Sequence, residues 1–121
     1  MLLIVDTSSI VFGLANGHDV FLSIKEHMPG YTPAVSEGIL KELAGIKSRS
    51  ARYGRYAGAA LLIIAKDRIK TIPDWSGVDS WIYRAAKAEK CAVCTNDIAL
   101  KRALKKEKIK VFSISRSGTL R

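Results

Sequence analysis

VCTNDIALKRAL, residues 93–104, is the stretch that decides the fold. An apolar run from Cys91 to Cys94 stops at Thr95-Asn96-Asp97. A helical pattern follows at once, with Ile98, Leu100 and Leu104 set among basic residues. A short continuous apolar run bounded by turn residues reads as a strand buried on both faces, as in a parallel sheet. The polar triplet then delivers a carboxylate to the turn where a helix begins. Two readings of Asp97 stand. It is a helix cap, a position that favours Asp and Asn without any function, or it is one of several acids gathered along one edge of a sheet.

The same unit recurs along the chain. Leu2 to Val5 is an apolar run followed by Asp6, by the capping residues Thr7-Ser8-Ser9 and by a helix ending near Gly17. Val20 to His27 reads as a second helix, closed by Pro29-Gly30. Tyr31 to Val35 reads as a strand, after which Ser36 caps a helix through Ile46. Ala51 to Lys66 is a longer Ala-rich helix, Ile69 to Ile72 a strand, Ser76 to about Glu89 a helix, Ile98 to Lys106 another, and Lys110 to Ile114 a last strand. Short apolar strands alternating with helices predict a three-layer α/β/α fold around a mostly parallel sheet. Residues 1–114 form one domain, and the basic tail 115–121, SRSGTLR, is expected to be loose.

A chain of 121 residues holds one domain with a real core and is too short for two. Hydrophobic content of 48% with 26% charge marks a globular protein rather than a disordered one. No apolar run nears a membrane span, and MLLIVD lacks the basic start of a signal peptide, so the cytoplasm is expected and a membrane partner is not. The net charge of +9 favours a polyanionic partner, nucleic acid above all. The excess is clustered. Six Lys or Arg lie between Lys101 and Lys110, opposed only by Glu107, and Lys47, Arg49, Arg52 and Arg55 form a second group. Arg52, Arg55, Lys101, Arg102 and Lys105 are the candidate nucleic-acid contacts. The Cys91–Cys94 pair lacks zinc-finger spacing to His18 or His27 and reads as two small buried residues in a strand.

In such sheets ligands bind beyond the carboxyl ends of the strands. Asp6 follows the first strand and Asp97 the fourth, while Asp79 lies in the first turn of the helix after the third. In the helix after the second strand, Ile39, Leu40, Leu43 and Ile46 form the apolar stripe. At 100° per residue Glu37 points to solvent and Glu42 lies roughly 80° from the stripe's centre, on its border. Four carboxylates converging in one cleft repel one another. A divalent cation with oxygen ligands makes them compatible, and such an ion acidifies water and clamps a phosphodiester. Acids in a cleft under a basic surface are the electrostatic pattern expected of a nuclease.

IVDTSSIVFGL, AVSEGILKELAGI, VDSWIYRAAKAEKCAVCTNDIALKRAL and the final IKVFSI, in this order over nearly the whole chain, resemble a PIN-domain ribonuclease. The resemblance implies a Mg²⁺- or Mn²⁺-dependent endoribonuclease that hydrolyses RNA with metal-activated water. By position it makes Asp6, Glu42, Asp79 and Asp97 the catalytic acids and Asp6, Asp79 and Asp97 the metal ligands, with Thr7, Ser8, Thr95 and Asn96 in support. Two departures reduce the acid count: many relatives carry an acid where Ser80 and Ala99 stand here. ARYGRYAGAALLIIAKD and TNDIALKRAL are most similar to the branch that processes ribosomal RNA in archaea and eukaryotes, which implies a ribosomal RNA precursor as partner. The alternatives are a toxin ribonuclease paired with an antitoxin, and an RNA-binding assembly subunit with a vestigial nuclease site. A homodimer is left open.

Overall fold

β1 (Leu2–Val5) is flanked by two other strands and has Leu3, Ile4 and Val5 inaccessible to solvent. Its apolar run is continuous because both faces of the sheet are covered. The computed structural model describes residues 1–73, 82, 86–87 and 90–121. The expected helix from Ser76 to Glu89 lies largely outside the described residues, and with it Asp79 and Ser80. Among the described residues the order is β1, α1 (Thr7–Ala15), α2 (Val20–His27), β2 (Thr32–Ser36), α3 (Glu37–Arg49), α4 (Gly54–Lys66), β3 (Lys70–Ile72), β4 (Ala92–Cys94), α5 (Ile98–Lys106) and β5 (Val111–Phe112). No helix among them is long and apolar enough to cross a membrane.

The five strands are parallel and ordered β3-β2-β1-β4-β5, which is the three-layer α/β architecture expected. The order reverses between β1 and β4, where Leu3, Ile4 and Val5 pair with Ala92, Val93 and Cys94. In this architecture that reversal opens a crevice at the carboxyl ends of the strands. Asp6 and Asp97 leave the sheet on either side of it.

Local chemistry accounts for most boundaries. The hydroxyl of Ser36 accepts from the Ile39 amide at 3.0 Å and starts α3. Asp19 accepts from the amides of Phe21 and Leu22 and starts α2. Three expectations shift. α3 runs on past Ile46 to Arg49. α4 begins at Gly54 instead of Ala51, because Ser50 Oγ accepts from the Tyr53 amide and holds residues 51–53 in a turn. The last strand shrinks to Val111–Phe112.

The tail is not loose. Ile114 bridges Leu120 in antiparallel fashion, Ser115 N donates to Thr119 O and Arg121 N to Ser113 O. Gly118, at φ +86°, closes this turn against the imidazole of His18. A side chain there would be strained by that φ and would collide with the ring.

Candidate active site

Asp6 occupies the N-cap position of α1, yet its carboxylate makes no capping bond. Its Oδ2 instead accepts from Ser8 Oγ and from Thr95 Oγ1, both at 2.9 Å. Thr95 immediately follows β4, so this acid is held across the sheet reversal by the neighbouring turn. The Asn96 amide donates to Ser8 Oγ at 3.0 Å and the Asp97 amide to Thr95 Oγ1 at 3.1 Å. Two strand-to-helix turns, 89 residues apart in the chain, thus share one hydrogen-bonded knot.

A third segment joins the knot after β5. Asn96 Oδ1 accepts from Ser9 Oγ at 2.8 Å and from the Ile114 amide at 3.1 Å, while its Nδ2 donates to the Ile114 carbonyl at 2.9 Å. Ser113 Oγ donates to the Thr95 carbonyl at 2.7 Å, and Lys101 Nζ donates to Ser113 Oγ at 3.0 Å. Ser8, Thr95 and Asn96 thus set the place of Asp6 and Asp97 by hydrogen bonds.

Asp97 caps α5, its Oδ1 accepting from the Leu100 amide at 3.1 Å. Its second oxygen has no hydrogen-bond partner among the described residues, and the same is true of Asp6 Oδ1. The two readings of Asp97 are thus compatible, one oxygen serving the helix and the other left for a ligand.

Asp6, Asp97 and Glu42 line one open cleft of about 840 Å³. Glu42 reaches it from α3, on the side of the apolar stripe defined by the buried Ile39 and Leu43. Asp79 lies outside the described residues, and its placement in this cleft is not part of the observed geometry. Among the described residues no group of three His, Cys, Asp or Glu side chains sits close enough to hold a metal ion. The donor set visible is two carboxylates, each with an unengaged oxygen, and Glu42 in the same cleft. Hard oxygen donors of this kind suit Mg²⁺ or Mn²⁺, which need only one or two carboxylates when water and phosphate complete the shell. Thr7 adds a buried hydroxyl on the cleft wall whose Oγ1 has no hydrogen-bond partner among the described residues.

Arg52 and Arg55 line the same cleft, together with Tyr53, Tyr56 and Arg116. Lys101, Arg102 and Lys105 do not. Lys101 is tied to Ser113, and Arg102 and Lys105 are exposed on α5 away from the lining. Tyr53, Tyr56 and Arg116 are absent from the sequence-based candidates. The repeat Arg52-Tyr53-Gly54-Arg55-Tyr56 carried the signal for the tyrosines, because residues three apart share a helix face. Arg116 lay in the tail expected to be loose.

Cys91 and Cys94 are buried and unbonded to each other. Burial pushes the Cys94 thiol up to about 11, the Ser9 hydrogen bond opposes this and the Asp6 charge adds to it. At that value the Cys94 thiol is protonated at neutral pH and a poor nucleophile.

A family model described as PIN like domain matches residues 3–117. The chain belongs to the PIN-like family. A PIN domain endonuclease, Utp24, superposes with a TM-score of 0.76 at 25% identity, covering 94% of this chain and 85% of that one. The PIN-like fold is also shared with a domain of a functionally unknown protein from Methanocaldococcus jannaschii (TM-score 0.67, 16% identity, 94% and 91% covered). VapBC2 from Rickettsia felis, bound to a DNA fragment from its promoter, gives 0.64 at 19% identity, with 93% and 98% covered. A search of the curated proteins returned no match.

The two readings of Asp97 make different predictions. Asn caps a helix about as well as Asp, so Asp97→Asn is expected to stay within roughly 0.5 kcal/mol of the parent in chelator, whereas Asp97→Ala loses about 1 kcal/mol. Excess Mn²⁺ should stabilise the parent more than either variant. Urea unfolding with chelator and with Mn²⁺ checks this. Equal metal stabilisation of all three proteins would leave Asp97 a cap alone.

Proposed function

We propose that this PIN-like domain is a metal-dependent endoribonuclease acting at the cleft between the turns after β1 and β4. The observation that carries the reading is Asp6. A helix-capping acid is diverted from its cap, gripped by two hydroxyls from separate turns, and left with one oxygen unengaged at a sheet reversal. The two hydroxyl bonds fix the orientation of the carboxylate. The similarity to a PIN domain endonuclease supports the same reading.

Asp6 and Asp97 are the residues that would hold Mg²⁺ or Mn²⁺, with Asp79 assigned by motif position. The ion, when bound, supplies charge neutralisation at the phosphate and an acidified water. Glu42 then orients the attacking water and accepts its proton. Arg52 and Arg55 bind the strand through its phosphates and set its path along the cleft. Hydrolysis of this kind leaves a 5′-phosphate. The resemblance of ARYGRYAGAALLIIAKD and TNDIALKRAL to the ribosomal-RNA-processing branch makes precursor ribosomal RNA the proposed substrate.

The test is incubation of purified protein with structured and single-stranded RNA, in Mn²⁺ and in chelator. Cutting in Mn²⁺ only, with 5′-phosphate ends, is the expected result. RNA binding without cutting under any divalent metal would favour the assembly-subunit reading instead.

Binding should be separable from cutting. Each phosphate contact removed lowers the salt slope of binding by about one unit. Arg52→Ala and Arg55→Ala are expected to do so. Arg102→Ala and Lys105→Ala, away from the cleft, are expected to change it less. Affinity measured across a salt series decides, and a steeper loss from the α5 pair would move the RNA path onto that helix.

A further inference from the structure

Large aromatic side chains in a small domain normally serve its core. Tyr31 does so, packing against the core and meeting Phe112 edge-on at 5.6 Å. Tyr53 and Tyr56 do not belong to the core cluster, and both line the cleft. Tyr53 is 37% exposed.

Each ring carries its own arginine. The Arg52 guanidinium lies 5.1 Å from the Tyr53 ring centre, and that of Arg55 lies 4.8 Å from the Tyr56 ring centre. Arg55 Nη2 also donates to the Tyr56 hydroxyl at 2.8 Å. Among the described residues no carboxylate forms a salt bridge with Arg52, Arg55 or Arg116. Gly54 makes the arrangement possible. A Cβ there would come within 3.0 Å of the Lys47 carbonyl, so its absence lets the start of α4 seat against the end of α3. The two Arg-Tyr pairs flank that glycine and reach the cleft that holds the acids.

We propose that Tyr53 and Tyr56 are a base-stacking subsite of this cleft. They take two unpaired bases beside the cleavage point and thereby make binding depend on bases as well as phosphates. The inference rests on the reading that the cleft carries a nucleic-acid strand, and it adds what holds the strand in register. Aromatic faces and guanidinium planes are the two surfaces on which unpaired bases stack. A cation over one face pins each ring, so little side-chain freedom is lost on binding. Arg116, from the C-terminal turn, adds positive charge for the backbone in the same cleft.

The test is binding in chelator, where the metal needed for cutting is removed. The probes are a short oligoribonucleotide containing 2-aminopurine and the same strand with abasic positions. The unaltered protein is expected to bind the base-bearing strand about tenfold more tightly than the abasic one and to quench its fluorescence. Tyr53→Ala and Tyr56→Ala should each lose about that factor along with the base preference. Tyr53→Phe and Tyr56→Phe should keep both, and unchanged melting temperatures in all four variants exclude unfolding as the cause. Equal affinity for the two strands, or Ala variants that bind like the parent, overturns the subsite. Absence of binding to either strand also overturns it, while Mn²⁺-dependent cutting, assayed separately, reports on the nuclease reading.

Discussion

Asp6→Asn is expected to reduce RNA cleavage by at least about 10²-fold while the fold stays intact. Asn has nearly the same shape, and its amide oxygen still accepts from Ser8 or Thr95, which hold Asp6 Oδ2 at 2.9 Å. What disappears is the charge, and with it the affinity of the free oxygen for a cation. The substitution therefore separates site chemistry from architecture better than Asp6→Ala, which would leave the buried Thr95 hydroxyl without that partner. Single-turnover cleavage in Mn²⁺, with melting temperature as the control for folding, measures it. Undiminished, chelator-resistant cutting by the variant would remove Asp6 from the mechanism.

The largest stability effect is expected at Asn96. Its side chain ties the buried Ser9 hydroxyl to both backbone groups of Ile114. Alanine leaves the Ile114 amide and carbonyl without this partner and strips Ser9 of its Asn96 bond, and each orphaned buried polar group costs about 1–3 kcal/mol. Some will be rehydrated through the open cleft, so the net loss is expected at about 2–4 kcal/mol, a drop of roughly 10 °C in melting temperature. Ser48 is the control. Among the described residues it bonds only the Ala44 and Gly45 carbonyls, on an exposed helix face, and Ser48→Ala is expected to change stability by less than about 0.5 kcal/mol. If the two variants melt alike, the knot is not what fixes the turns. Asn96→Ala should also lower cleavage, because the side chain it removes anchors the turn whose backbone amide donates to Ser8, a partner of Asp6.

The strands were legible in the residues because burial on both faces writes itself as an unbroken apolar run, as in Leu2–Val5 and Ala92–Cys94. The start of α3 was legible because Ser36 makes the capping bond its type favours. The strand order was not. That β1 lies beside β4 depends on pairing across about ninety residues, and no local pattern encodes it. The edge carrying Asp6 and Asp97 could be named from the rule for parallel sheets, but the knot joining them could not.

The tail was misread for a related reason. SRSGTLR is polar and short, yet three backbone bonds and one glycine at positive φ fold it back and bring Arg116 to the cleft. Lys101 shows the converse. Its charge suggested a phosphate contact, and in the fold one of its ammonium protons goes to Ser113, at the edge of the knot and outside the cleft lining. A cluster of like charges in sequence says little about which of them face the same surface.

The central claim is that Asp6 and Asp97 jointly hold a catalytic cation. The most direct measurement is a Mn²⁺ titration of the full chain followed by electron paramagnetic resonance, for the parent, Asp6→Asn, Asp97→Asn and Arg52→Ala. The account predicts a saturable site in the parent and in Arg52→Ala, with affinity lowered at least about tenfold in each of the two Asp variants. Equal Mn²⁺ affinity in all four proteins would contradict it.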